Sequence, residues 1–366
     1  MMIRILTLFT LLLLAGATSA HHGSTGQFDH STTIEVTGVV KKIRFVNPHS
    51  YVYFDVTNDD GSVDEWRCEM RAASVLKRAG WSEDMFEAGA IIDIVGVPAR
   101  REPHGCYVET LALNEGESIE RYAELEGADS GSAERALHLA DGTPNLTGNW
   151  VAPPRDLGGP PRGPDGRPGP GTPPGPGGSG MGPGMGPGGP PRYAQSDAGI
   201  KASAGYQTED NPRFHCMATN IFQDWTFDQH VNTIEQNEDF ITLTYGFMDI
   251  VRTIYLHQDA HPHNLEPSRA GHSIGKWDGD TLVVDTIGVA EGYLDGRGGI
   301  KHSDQLHVVE KFSRGEDGKT VIRTWVGEDP VYLSATFNGR DQISATVAEF
   351  DPYNCEDLTE EIVDGF

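Results

Sequence analysis

The chain has 366 residues, 37% of them hydrophobic, which is enough for two domains that each bury a core. Its 54 acidic residues against 28 basic ones give a formal charge of -26, which excludes a nucleic-acid partner, because phosphate binding needs clustered Lys and Arg. The four cysteines (Cys68, Cys106, Cys216 and Cys355) form no C-x-x-C pair, which argues against a thiolate zinc site or a thioredoxin-type redox centre.

Residues 1–20 place Arg4 ahead of an apolar run at 5–14 and then small residues, the three regions of a secretory signal. The run is too short to cross a bilayer. The expectation is a periplasmic or secreted protein with no membrane span in the mature chain. Cleavage fits after Ala17 and after Ala20, and only the second exposes His21 of "HHGSTGQFDH".

Residues 21–115 read as one β-rich domain. "TIEVTGVVKKIRFVN" and "SYVYFDVT" alternate as strands, Asp60-Gly61 supplies a hairpin turn, and "SVDEWRCEM" continues the meander. "RAASVLKRAGW" has helical spacing at Ala73, Leu76 and Lys77, with Gly80 as its stop. "AIIDIVGVPA" and "CYVETLALN" add two strands. Three strands, a helix and two strands is the order of a five-stranded OB-like barrel, in which the third and fifth strands pair. That brings Cys68 to Cys106. Pairing Cys216 with Cys355 then keeps each disulfide inside one domain, as an oxidising compartment favours.

Residues 116–140 are acidic and read as a linker, and 141–366 as a second, antiparallel β domain. "PNLTGNWV" is a short strand at its start, with a Gly-x-Trp element of the kind seen in lipocalin-like barrels. Between residues 153 and 191, 29 of 39 residues are Gly or Pro, so this insertion cannot form a packed core and reads as disordered. After it come "HVNTIEQ", "FITLTYGF" and "RTIYLH", then "SIGKW" and "DTLVVDTIG" around Asp278-Gly279, and "LHVVEKFSR" and "TVIRTWVG" around Asp317-Gly318. Turns at this density predict an antiparallel barrel or sandwich, so the chain as a whole is all-β.

Two groups of residues carry the chemistry. A mature chain starting at His21 offers an α-amine and an imidazole on one residue, and a third nitrogen from His49 completes a set that suits Cu(II). His22 and His30 are substitutes for His49, and copper is the one cofactor the sequence points to. The second domain holds eight of the fourteen histidines. There His261, His272 and His302, with Arg252, Asp280 and Glu310, are the candidate residues of a polar pocket for a small-molecule ligand. Asp280 and Asp285 bracket "TLVV" at a spacing that puts them on opposite faces of a regular strand, which speaks against a paired-carboxylate site. Trp277, Trp325 and Tyr255 read as core. The first reading is a binding protein with copper at its amino terminus and a ligand pocket in the second domain. The alternatives are an enzyme acting through the histidine-rich end of that domain, and a structural envelope protein. Convergence of His261, His272 and His302 around one acidic partner would favour the enzyme.

Through "HHGSTGQFD", "TGVVKKIRFVNPHSYVYFDV", "DEW", "LKRAGW" and "GAIIDIVGVPAR", roughly residues 21–115, the chain resembles the exported bacterial family catalogued as domain of unknown function 6152. Its later half is similar to the second domain that accompanies that family. The resemblance implies export and this domain layout, and it implies no activity.

Overall fold

The computed structural model describes residues 27–129, 131–153, 193–207, 210–296 and 299–356. His21, His22 and the Gly/Pro insertion, apart from Pro153 at its start, lie outside the described residues.

The first barrel is built from β1 (Ile34–Arg44), β2 (Tyr51–Thr57), β3 (Val63–Glu69), β4 (Ile91–Pro98) and β5 (Gly105–Leu113). Sheet order β3-β2-β1-β4-β5, with β3 and β5 paired in parallel, closes it in the OB-like order. Alternation along β1 and β4 turns Val40, Ile92 and Ile94 inward, where they meet Val52, Phe54 and Val108. Helix α1 (Ala73–Arg78) crosses between β3 and β4 and buries Ala73, Val75 and Leu76. It stops at Gly80, whose φ of +85° favours glycine. A bulge in β5 at Glu109 falls opposite Gly96 of β4, where a Cβ would lie 2.4 Å from the Tyr107 carbonyl oxygen, so only glycine lets the two strands approach this closely. Cys68 and Cys106 are register partners across β3 and β5 and form a disulfide.

Residues 116–140, read as an acidic linker, make backbone contacts with both barrels. Among the described ones, β6 (Ile119–Glu120) adds to the edge of β5, Leu125 and Asp129 donate backbone hydrogen bonds to Ala79 and Arg78, and Gly131 accepts one from Val347. The segment is tied to both barrels because its backbone finds partners on each, whatever its charge.

The second barrel has nine strands: β7 (Gly148–Val151), β8 (Val231–Gln236), β9 (Phe240–Thr244), β10 (Val251–Tyr255), β11 (His272–Asp278), β12 (Thr281–Ile287), β15 (His307–Arg314), β16 (Thr320–Glu328) and β17 (Phe337–Ala345). The short strands β13 (Gly292–Asp295) and β14 (Ile300–His302) form a separate hairpin. An odd number of strands cannot alternate in direction all the way round a closed barrel. The mismatch falls between β10 and β11, which pair in parallel through Ile254 and Tyr255 only. A parallel pair needs a long crossover, and residues 256–271 supply it. The expected antiparallel barrel therefore holds at every seam but one. Its interior is filled by Trp150, Ile234, Leu243, Leu282, Val284, Phe312, Trp325 and Ile343, with Ile221, Phe222 and Trp225 packed among them.

Asn47 joins the two barrels. Its backbone bridges to Cys355, its amide donates to the Tyr353 carbonyl, and its side-chain oxygen accepts from the Ser74 backbone at 3.2 Å. Beside it Arg71 reaches Gln229 and Asp228, and Phe214 packs on Tyr51 and Tyr53. The second disulfide, Cys216 to Cys355, fastens the same corner. Among the described residues no helix is long and apolar enough to cross a membrane.

Candidate functional site

His49 follows the Asn47-Pro48 peptide bond, which is cis, in the connection from β1 to β2. Its Nδ1 is buried and lies 3.1 Å from Oε1 of Glu69, an ion-pair contact without the alignment of a hydrogen bond, while 42% of the side chain is exposed. Glu69 is 4% exposed and also faces the Arg121 guanidinium at 3.6 Å. Burial opposes ionisation of the Glu69 carboxyl, but His49, Arg121 and Arg67 outweigh it and hold the group below the usual carboxylate range. Burial likewise works against the His49 imidazolium, and the charge of Glu69 close beside it more than compensates, which raises His49. Arg121 lies over the Tyr107 ring at 3.7 Å, and the Tyr107 hydroxyl meets that of Tyr122 at 3.1 Å. Burial pushes the Tyr107 phenol above its ordinary value, with Tyr122 and Glu69 adding to the shift against Arg121. Glu69 lines an open groove with Gln27, Phe28, Tyr51, Arg67 and Cys106. Gln27, six positions after His21, thus lines the same groove as Glu69, the carboxylate beside His49. His30 stands apart from this pair, edge-on to the Tyr107 ring at 5.9 Å.

Of the residues expected to form a pocket in the second barrel, the structure joins two pairs and leaves two residues alone. His261 Nδ1 lies 2.8 Å from His272 Nδ1, and His261 Nε2 lies 2.9 Å from Asp285 Oδ1. Asp285 Oδ2 then meets His307 Nε2 at 3.2 Å, and His307 Nδ1 meets Glu328 at 3.2 Å. This chain of groups runs over the outer face of β11, β12, β15 and β16. Burial, followed by the neighbouring His261, lowers His272. His307 is raised, because its bonds to Glu328 and Asp285 outweigh burial. The His261 and His272 ring centres are 5.0 Å apart, so the two nitrogens lie close to the line between them, the geometry of an N–H···N hydrogen bond. Nitrogens sharing a metal ion would point to a common position off that line. Among the described residues no group of three or more His, Cys, Asp or Glu is arranged to hold a metal ion.

Arg252 and Glu310 form the second pair, inside the barrel and 0% exposed. Arg252 also donates to Ser273 at 2.9 Å and Thr286 at 2.7 Å, and Glu310 faces Arg323, which is bound in turn to Asp341 and to the Ile221 and Phe222 carbonyls. These residues hold the core together and face no open cavity. His302 is buried at the β14 end with Nδ1 on the Ser303 carbonyl, and burial lowers it. Asp280 sits in the exposed β11–β12 turn against His138. His302 does not join His261 and His272, so the convergence that would favour an enzyme is incomplete. Trp325 is core, Trp277 is half-buried against it, and Tyr255 stacks on His272 at 5.1 Å.

Sequence reasoning missed Glu69, Asp285 and His307 as partners. The signal for the last two was available, since strand alternation turns Asp285 and His307 outward while Val284, Thr286 and Val308 turn in. Glu69 gave no such signal, because its role depends on where the first connection folds.

These features define a class: a two-barrel β protein with an OB-like first barrel, two disulfides and an open groove lined by Glu69, the carboxylate beside His49. Residues 10–107, the part that includes this barrel up to β5, match the model of the Family of unknown function (DUF6152), in agreement with the resemblance read from the sequence. No curated protein and no solved structure matches the chain.

Proposed function

We propose that the protein is exported, begins at His21 in its mature form, and binds one Cu(II) ion through the His21 α-amine, the His21 imidazole and His49. The observation that carries this reading is that Glu69, which lies 3.1 Å from His49, lines the same groove as Gln27. A carboxylate on one ring nitrogen fixes the tautomer and leaves the other nitrogen as the ligand, the usual support of a metal-bound histidine. The arm from His21 to Gln27 spans up to ~20 Å when extended, which is ample to return to His49. An α-amine with pKa near ~7.7 to 8.0 yields its proton to a metal more readily than a lysine at ~10.4. Three nitrogens held this way suit the tetragonal preference of Cu(II).

The second barrel serves as a platform that holds the β1–β2 connection through Asn47. Its described interior is filled by apolar side chains and the Arg252–Glu310 network, so the reading gives it no interior ligand. Intact mass and metal analysis of the exported protein test the proposal. A chain starting at His21 with one copper per molecule supports it, and a chain starting at Thr18 removes the terminal ligand and overturns it.

A further inference from the structure

We propose that residues 256–271 are held by an acid-sensitive latch in which His261 locks the crossover loop to the outer face of the second barrel. The loop exists because the nine-stranded barrel has one parallel seam, and β10 and β11 pair there through two residues of each strand. Backbone bonds pin the loop at its two ends, Leu256 to Asp239 and Ser268 to Gly288 and Ala290, so side chains must fix the stretch between them.

His261 supplies the fastening. Asp285 of β12 accepts from His261 Nε2, which fixes the proton of the neutral ring there and leaves Nδ1 as an acceptor. His272 of β11 must then donate from its own Nδ1 across the 2.8 Å contact. One extra proton can be accommodated, because an imidazolium can still donate to a neutral partner. Two cannot, because both rings would then present an N–H and a positive charge to each other. The other charged groups facing the latch come from neighbouring strands. His307 of β15 and, behind it, Glu328 of β16 share the carboxylate of Asp285, and Lys276 of β11 pairs with Asp259 of the loop itself. Tyr255 of β10 stacks on His272. Asp285 stays ionised on mild acidification: burial opposes this, but its bonds to His261 and His307 prevail. The lowered His272 places the second protonation on the acid side of an ordinary histidine. Residues 268–270, which follow the latched stretch and are pinned at Ser268, line an open groove with Met248 and Val251.

Hydrogen–deuterium exchange of the full-length protein at about pH 7.5 and about pH 5, corrected for intrinsic exchange, reads the latch directly. Protection of the Leu256 and Ser268 amides, which bond to Asp239 and Gly288 at the two ends of the loop, should fall about tenfold at the lower pH while β15 and β16 stay protected. His272→Gln, which donates a hydrogen bond but does not titrate, should keep the loop protected at both pH values. His261→Ala should leave it open at both. Unchanged protection in the native loop overturns the proposal. So does a fall shared by the barrel strands, an equal fall in His272→Gln, or full protection in His261→Ala at the higher pH.

Discussion

Oε1 of Glu69 lies 3.1 Å from Nδ1 of His49, and the two come from different ends of the first barrel's meander, one at the last residue of β3 and the other ahead of β2. The antiparallel register that pairs Tyr51 with Glu69 is what brings them together. If this carboxylate sets the ring's tautomer, Glu69→Gln should weaken copper binding about 10- to 100-fold, the usual effect of losing such a partner. Competitive titration against a chelator of known affinity measures it, and an unchanged affinity would show that Glu69 supports only the fold.

The buried charges of the second barrel should behave as a unit. Glu310→Ala leaves Arg252 and Arg323 facing each other without their shared carboxylate, and it should cost about 3–5 kcal/mol of stability, the range found when one partner of a buried pair is removed. Replacing Arg252 and Glu310 together by Met and Leu should cost much less. Urea denaturation of the two variants checks the ordering, and equal losses would contradict a network role.

Acid should loosen the joint between the barrels. His230 is 5% exposed, meets Ser74 at 3.1 Å, and is lowered to about 3, first by burial and then by the nearby Arg78, Arg71 and Arg213, against the pull of Asp228. A depressed histidine stabilises the fold above its unfolded pKa of ~6.5, and the contribution is lost as pH falls from there towards the folded value. Stability should therefore decline on acidification across that window, by up to several kcal/mol on the order of the shift. Thermal melts of the native protein and His230→Gln across the window test it, and parallel pH profiles would exclude His230 as the cause.

The Gly/Pro insertion should be dispensable for folding. Ala152 and Tyr193, near its two ends, are both buried in the second barrel, and Tyr193 packs edge-on to Phe337 at 5.3 Å. Deleting residues 160–190 should leave cooperative melting of both barrels intact, because shortening such a tract changes closure entropy only slowly. A deleted protein that no longer melts cooperatively would assign the tract a structural part.

Much of this fold was legible because its strands alternate strongly and their turns carry Asp-Gly pairs, as around Asp60, Asp278 and Asp317. The Cys68–Cys106 bond followed from the strand order alone. β17 was not legible, since "FNGRDQISA" carries Gly339 and the paired charges Arg340 and Asp341, whose place in the barrel depends on Arg323 across the sheet. The parallel seam was invisible for another reason: it depends on the strand count of the whole barrel and on no local pattern. Of the candidate sites, His49 and the pair His261 and His272 could be picked out as residue types in loops or at strand ends. Their carboxylates could not, because register between distant strands decides which acid meets which histidine. That Arg252 and Glu310 meet each other inside the barrel was not legible for the same reason, since their pairing depends on the register of β10 and β15 around the barrel.

The most direct test of the copper reading is electron paramagnetic resonance of Cu(II) bound to the exported protein, compared with His49→Ala and with a chain carrying one extra residue before His21. The native protein should show nitrogen coupling from three ligands, and each variant should lose at least one of them and bind at least about tenfold more weakly. Spectra and affinities that are the same in all three proteins would contradict the account, leaving the two terminal histidines and His49 without a shared ion.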